Sequence, residues 1–309
     1  MTDENKNQKF GFVTVIGEPN AGKSTLINQI VGTKVSIVSP KVQTTRTRVL
    51  GIALHEEAQI VFVDTPGIFE APKKGEGKNK MERAIVASAW EGVADTESIL
   101  LLVDVSKKIG HSTHIILDRL KNEGKKRCIL VLNKVDKIKR EALLDISLKL
   151  NEAHDFEATF MVSALKGNGV GDLLKYIAKN LPNEPWHYPE DQVTDMPMRL
   201  MAAEVTREKL FNMLYQELPY HLTVETDVWE PFNDGSLKIE QTIYITREAH
   251  KSIVLGKGGV MIKKVGQAAR AELEEILECR VHTNLFVKVR ENWQDDEERY
   301  NLWGLDPNA

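Results

Sequence analysis

Residues 12–31 read FVTVIGEPNAGKSTLINQIV, and this stretch decides the fold. Phe12 to Ile16 is an apolar, β-branched run suited to a buried strand, and Ser24 to Val31 sets Leu26, Ile27 and Ile30 along a short helix. Between them Gly17 to Ser24, GEPNAGKS, fits G-x-x-x-x-G-K-[ST]. In that pattern backbone N–H groups wrap a nucleotide's phosphates, the lysine contacts their oxygens and the hydroxyl binds Mg²⁺. Gly17, Glu18, Pro19, Asn20, Ala21, Gly22, Lys23 and Ser24 are therefore the candidate phosphate-binding residues. A strand, a Gly-rich turn and a helix N-terminus in succession aim unpaired N–H groups and the helix dipole at an anion. The expected fold is α/β, a P-loop domain with a mostly parallel sheet.

Downstream, Thr33 to Arg48 is polar, β-branched and interrupted by Pro40, and reads as an exposed loop long enough to carry a function. Val49 to Leu54 and Gln59 to Val63 form a hairpin around His55 to Ala58. The second run ends in Asp64-Thr65-Pro66-Gly67, D-x-x-G at the carboxyl end of a strand, where an open α/β sheet has its ligand crevice. After a P-loop, such an Asp holds the Mg²⁺ shell and the Gly can offer its N–H to a γ-phosphate. Ile68 to Lys80, with Pro72, Gly75, Gly77 and its lysines, reads as a mobile basic loop. Helices over Met81–Gly92 and His111–Glu123, the latter stopped by Gly124, flank a strand over Ser98–Val103.

The buried strand Arg127 to Leu132 then runs into Asn133-Lys134-Val135-Asp136. N-K-x-D selects guanine for a physical reason: the carboxylate accepts from the ring N–H and the exocyclic amine, a donor pair that adenine lacks at that edge. Asn133 can hold the loop while the Lys134 stem packs on the ring. A helix over Arg140–Ala153 and a strand over Ala158–Val162 lead to Ser163 and Ala164, and the Ala164 N–H is expected to face the guanine oxygen. An amphipathic helix, Val170 to Leu181, closes the domain.

GEPNAGKS, the TTR of the loop, DTPG, NKVD and SAL, in this order over residues 10–181, resemble the five nucleotide-binding motifs of the translation-factor-type GTPases. The resemblance implies that Thr45, or the adjacent Thr44, joins Ser24 and Asp64 as a Mg²⁺ ligand, and that Lys23, Thr45, Gly67 and Asn20 serve hydrolysis of GTP to GDP and phosphate. One departure is informative. Ile68 stands where Ras-like members carry the glutamine that orients the attacking water. The chain thus resembles the subclass with a hydrophobic residue there, whose members often recruit K⁺ beside the phosphates. Asn20 occupies the position of that subclass's K⁺ ligand, or serves the turn after Pro19.

From Leu181 the pattern changes: PNEPWHYPEDQVTDMP carries four prolines and no periodicity, and reads as a linker on which Trp186 and Tyr188 pack against a domain. Beyond it come a helix, Met198–Leu214, two alternating strands, Leu222–Val228 and Leu237–Ile245, and a short helix, Ala249–Val254. The loop Gly256-Lys257-Gly258-Gly259 follows, then a long helix, Val260–Leu277, and a last strand, Val281–Val289. That is the element order of an α+β type II KH domain, whose G-x-x-G loop clamps four nucleotides of single-stranded backbone. Lys251, Ile253, Gly256, Lys257, Gly258, Gly259, Lys263, Lys264 and Arg270 are the candidate RNA-binding residues, with no acidic residue between 250 and 271. Asp295 to Glu298 reads as a solvated segment of the tail.

A GTPase followed by this linker, TREKLF and the KH order resembles the Era family of bacterial GTPases, from residue 10 to about 304. The resemblance implies action in 30S ribosomal subunit assembly, binding near the 3′ end of 16S rRNA, and peripheral association with the inner membrane. An alternative role is a membrane-associated regulator of cell growth or cycle for which RNA is secondary. Composition agrees with a two-domain protein: 309 residues, 42% apolar and 28% charged. Domain boundaries fall at a tail of 1–9, a GTPase domain of 10–181, a linker of 182–198, a KH domain of 199–290 and a tail of 291–309. With a polar Met1 to Lys9 and no apolar run of membrane-span length, a cytoplasmic monomer is expected. The net charge of −4 argues for nucleic acid only if the basic residues are gathered locally. Cys128 and Cys279 read as reduced, packed thiols.

Overall fold

A computed structural model of the chain describes residues 7–41, 44–68, 80–94, 96–122, 127–215, 217–296, 299–300, 303 and 305–306. It divides into two compact units, one of residues 1–36, 45–195 and 300–309, the other of residues 37–44 and 196–299.

The first unit follows the order β1 (Lys9–Gly17), α1 (Lys23–Val31), β2 (Val49–His55), β3 (Ala58–Asp64), α2 (Lys80–Ala94), β4 (Ser98–Asp104), α3 (His111–Asn122), β5 (Arg127–Asn133), α4 (Arg140–Ala153), β6 (Ala158–Val162) and α5 (Val170–Asn180). Its six-stranded sheet has the order β2-β3-β1-β4-β5-β6. Only the β2–β3 hairpin is antiparallel; every other pairing is parallel. Parallel strands are covered on both faces, which is why these segments read as continuous apolar runs instead of alternating ones. On one face Val13 and Val15 meet Leu26 and Ile27 of α1 and Leu173 and Ile177 of α5. On the other Ile16 and Leu101 meet Ala89 and Trp90 of α2 and Ile116 and Leu120 of α3. β1 lies between β3 and β4, so the chain leaves it in both directions, and the crevice at its carboxyl end is where such sheets bind ligands.

The Pro-rich linker, as far as Asp195, belongs to this unit. The Trp186 indole N–H donates to Glu57 O at 3.1 Å, the Ile52 N–H to Val193 O at 2.9 Å, and the Gln59 side chain pairs with the Tyr188 backbone. Both expected aromatic anchors are therefore engaged. Cys128 and Cys279 are free thiols, and burial pushes Cys128 up to about 12, as befits an inert core residue.

The second unit runs α6 (Met198–Met213), β7 (Leu222–Pro231), β8 (Leu237–Ile245), α7 (Glu248–Leu255), α8 (Val260–Leu277) and β9 (Val281–Val289). Its sheet order is β7-β8-β9, with β8 and β9 parallel across the α7–α8 crossover. Helices cover one face, so the strands alternate: on β9 the residues His282, Asn284, Phe286 and Lys288 are exposed while their neighbours are buried or half-buried. Leu210, Leu222, Ile243, Val254 and Val265 form the core that ties α6, α7 and α8 to the sheet.

One expectation requires correction. The described residues of 33–48 do lack regular structure, but the segment is not simply exposed: Thr33, Val38, Pro40 and Arg48 face solvent, while Val35, Ser36, Ile37, Thr45, Arg46 and Thr47 are buried. The segment's polar atoms find partners instead of water. Asn28 Oδ1 accepts from the N–H groups of Val35 and Ser36, each at 3.0 Å, and Asn28 Nδ2 donates to Ser36 O at 2.7 Å. Near the carboxyl end, one acidic residue of the 295–298 stretch has a cationic partner. Trp293 is fully buried, and Asp296 pairs with Arg290 at 2.7 Å. Residues 297–298, like 69–79 and Gly124, lie outside the described residues.

Candidate nucleotide site and nucleic-acid face

At the carboxyl ends of β1 and β3, three hydroxyls converge on one carboxylate. Asp64 Oδ2 accepts from Ser24 Oγ at 2.6 Å and from Ser36 Oγ at 2.7 Å, and Thr45 Oγ1 lies 3.1 Å from Ser24 Oγ. Asp64 itself is fully buried, and its Oδ1 has no protein partner among the described residues. Burial works to raise this carboxyl's pKa, while the Ser24, Ser36 and Thr45 hydroxyls and the charge of Lys23 work against that. An orphaned, buried carboxylate oxygen beside hydroxyls suits a hard cation that completes its shell with water and phosphate. Of the two adjacent threonines, Thr45 is the one beside Ser24; the Thr44 hydroxyl donates to Lys41 O at 2.8 Å.

Lys23 is also buried, and its ammonium donates to the carbonyls of Gly17 and Glu18, both at 3.1 Å. Desolvation lowers its pKa to about 8 against the opposing pull of Asp64 and Glu18. This is a cation held inside the loop at a cost, a cost that phosphate charge would relieve. The loop backbone is closed from the side by Gly67. A Cβ at Gly67 would lie 2.7 Å from Pro19 Cα and 2.8 Å from Pro19 N, so only glycine lets D-T-P-G approach the P-loop. Ile68 follows with its N–H on Gly17 O at 3.0 Å and its side chain packed in the core beside Ile16 and Trp90. A side chain so placed cannot orient a water.

The N-K-x-D loop is tied back to the P-loop. Asn133 Nδ2 donates to Ala21 O at 2.8 Å, and Lys134 Nζ donates to Asn20 O at 2.8 Å. Asp136 is exposed at the rim with Oδ1 accepting from Ser163 Oγ at 2.7 Å, and that hydrogen bond holds its carboxyl below the usual range. The Ala164 N–H donates to Asn133 Oδ1 at 2.9 Å and so braces the loop. Sequence reading passes over Ser36 and Asp104. Ser36 lies inside what looks like a loop, and Asp104 stands at the end of a strand with no motif around it. Asp104 Oδ2 accepts from Lys134 Nζ at 2.6 Å.

In the second unit the G-x-x-G loop sits between α7 and α8. Gly258 holds a left-handed backbone (φ 62°), and a Cβ there would meet open space, so the loop's outer surface is free for a close approach. Ile253 and Val260 flank it, each 54% exposed, so the loop has apolar surface on both sides. Beside the loop, α8 and the outer edge of β9 enclose a groove of about 420 Å³, with Lys263 and Arg270 on the helix side and Asn284 and Phe286 on the strand side. Lys251 is half engaged by Glu248 at 3.6 Å. Cations, an exposed ring and an unpaired strand edge make a surface suited to single-stranded nucleic acid.

Residues 37–44, part of this second unit, are held by α6. The Val38 N–H donates to Glu208 Oε1 at 2.7 Å, Lys41 Nζ donates to the carbonyls of Phe211 and Leu214, and Arg207 donates to Thr44 O.

Comparison with known proteins agrees with both halves. Residues 12–134 match the family described as 50S ribosome-binding GTPase, and residues 217–294 match the KH domain family. GTPase Era of Mesorhizobium japonicum is 54% identical over 305 residues, covering 99% of this chain and 96% of the relative. GTPase Era of Sinorhizobium medicae is 55% identical over 298 residues, covering 96% and 94%. Among solved structures, a single-residue variant of Aquifex aeolicus Era bound to GDP·AlF4⁻ superposes with a TM-score of 0.90 at 38% identity, covering 96% of this chain and 99% of that one. Era in complex with MgGDPNP and nucleotides 1506–1542 of 16S ribosomal RNA gives a TM-score of 0.89, also at 38% identity and with the same coverage of 96% and 99%.

Proposed function

Because the chain belongs to the Era family of GTPases, we propose that it is a nucleotide-switched RNA-binding GTPase that acts in 30S subunit assembly and binds near the 3′ end of 16S rRNA. The relative that carries MgGDPNP together with nucleotides 1506–1542 of 16S rRNA supports this reading. So does the groove beside the G-x-x-G loop. In this proposal residues 10–181 act as the GTPase domain, 199–290 as the KH domain, and the protein works in the cytoplasm. Among the described residues no helix is long and apolar enough to cross a membrane.

Mg²⁺ would be held by Ser24, Thr45 and Asp64, and would supply positive charge to neutralise phosphate. The protein's own residues do the rest. Lys23 contributes a buried charge to the phosphates, Gly67 offers its N–H, and Asp136 selects the base while Asn133 braces its loop. Since Ile68 is core, the attacking water must be placed by backbone or by a partner, so intrinsic turnover is slow. Asn20 is the candidate K⁺ ligand; hydrolysis at equal rates in KCl and NaCl would remove that assignment.

One observation carries the switch. Ser36 and Thr45 sit at the candidate metal site, and the eight residues between them, 37–44, belong to the unit with the G-x-x-G loop. A change in the position of Thr45 would therefore reach, along the chain, a segment held by α6. Binding of an oligonucleotide from the 3′ end of 16S rRNA, measured with a non-hydrolysable GTP analogue and with GDP, tests this. Affinity should be about tenfold higher with the analogue. Equal affinities would leave an RNA-binding protein without a switch, and no binding in either state would reject the RNA assignment.

A further inference from the structure

Asp104 lies outside every nucleotide-binding motif, yet it makes the closest side-chain contact to the lysine of N-K-x-D. It ends β4 and pairs in register with Asn133, the last residue of β5. Its Oδ2 accepts from Lys134 Nζ at 2.6 Å, and its Oδ1 accepts from the N–H and the Oγ of Ser106 at 3.0 and 2.5 Å. Lys134 Nζ carries a second bond, to Asn20 O at 2.8 Å. The ammonium therefore bridges the P-loop and β4.

Two features make this more than a surface ion pair. First, Lys134 and Asn20 both hold left-handed backbone, at φ 68° and 63°, a region that asparagine tolerates and that a lysine rarely adopts. The Lys134 bridge joins these two turn residues, one in the phosphate loop and one in the base loop. Second, the Asp104 side chain is only 9% exposed and that of Lys134 24%, so water does not screen the pair as it would on an open surface. Burial works to raise the Asp104 carboxyl, but hydrogen bonds from Lys134 and Ser106 hold it below the usual carboxylate range, so it stays charged.

A lysine stem has four rotatable bonds, and freezing them costs conformational entropy. If its head were free, the stem would not stay where a purine ring must lie. Taking guanine-nucleotide binding by this loop as given, we propose that Asp104 is a positioning residue for base recognition, clamping the Lys134 head so that its stem and the Asn20 carbonyl form one preset wall of the guanine pocket. It touches no reacting atom. Its effect should fall on nucleotide residence and leave the chemical step alone.

The test is release of a fluorescent GDP analogue from the full chain with Mg²⁺, for the wild type, Asp104→Ala, Asp104→Asn, Lys134→Ala and the Asp104→Ala/Lys134→Ala double variant. Asp104→Ala should speed release at least tenfold, with kcat at saturating GTP within twofold of wild type. Asp104→Asn, which keeps an acceptor but no charge, should fall between the two. The double variant should release no faster than Lys134→Ala alone, because a clamp has no effect once its lysine is gone. Release from Asp104→Ala within twofold of wild type would overturn the proposal, as would a double variant whose rate is the product of the single effects. The nucleotide-free thermal midpoint separates misfolding from loss of the clamp, and Asp104→Asn keeps the test decisive if the alanine variant is unstable. A wild type that held ADP as well as GDP would instead sink the guanine reading itself.

Discussion

Lys23 shows what a phosphate-binding lysine costs the protein that carries it. Its ammonium is buried, bonded to the carbonyls of Gly17 and Glu18, and desolvation has lowered its pKa to about 8. A lysine whose folded pKa is depressed below its ordinary value of 10.5 destabilises the fold while it is charged. As pH rises from about 8 toward 10.5 the unfolded chain holds more protons than the folded one, so this contribution to stability improves across that window. Lys23→Met fills the same space without the charge. It should weaken GTP and GDP binding at least a hundredfold yet raise the melting temperature of the nucleotide-free protein by a few degrees at pH 7. That advantage should shrink as the pH is taken from about 8 toward 10.5, and melting curves across this range check it; a variant less stable than wild type at pH 7 would contradict the argument. The residue-scale chemistry here was legible from sequence because GEPNAGKS, DTPG and NKVD fix both residue types and spacing. Asp104 was not. Its role depends on the β4–β5 register that sets it beside Asn133, and nothing in SILLLVDVS announces a partner thirty residues away.

At the scale of elements, most strand and helix spans followed from the sequence to within a residue or two, because the first unit's strands are apolar runs and the second unit's strands alternate; β1 begins three residues earlier than expected and β7 ends three later. What could not be read was the state of residues 33–48. Val35 and Ile37 have the composition of any loop with a few apolar residues, and their burial is decided by distant partners: Asn28 on α1 for the start, and α6 for residues 37–44. Arg207 is the centre of that second attachment. It is 1% exposed, it donates from Nε to Glu204 at 2.7 Å and from Nη2 to the Thr44 carbonyl, and its Nη1 has no protein partner among the described residues. Removing it strands the Thr44 carbonyl and the Glu204 carboxylate, at about 1–3 kcal/mol. Arg207→Met should therefore loosen residues 37–44 without unfolding α6. Limited trypsin digestion checks this, since Lys41, whose ammonium is tied to the carboxyl end of α6, supplies the cleavage site. Cutting after Lys41 should accelerate roughly tenfold with the circular dichroism spectrum unchanged, whereas an unchanged rate would mean that the segment is held by its other contacts.

For the whole molecule, a net charge of −4 conceals a strong local field. The run from Lys251 to Arg270 has five cations and no acid, and the structure places Lys263 and Arg270 on the wall of the groove beside the G-x-x-G loop. Cations that meet phosphates release condensed counterions, so each phosphate contact on a single strand adds about 0.7 to the slope of log affinity against log salt. Lys257 and Lys264 are the pair to test, as they belong to this run and lie far from the nucleotide motifs in sequence. Reversing both to glutamate should lower RNA affinity at least thirtyfold at moderate salt and flatten the salt dependence by about 1.4, the value for two lost phosphate contacts. GTP hydrolysis without RNA should stay within twofold, because the Ser24, Asp64 and Thr45 cluster is built wholly within the first unit. Loss of affinity with an unchanged slope would mean that these lysines shape the loop and do not bind phosphate. Loss of hydrolysis together with affinity would mean that the two chemistries share more of the chain than one segment of eight residues.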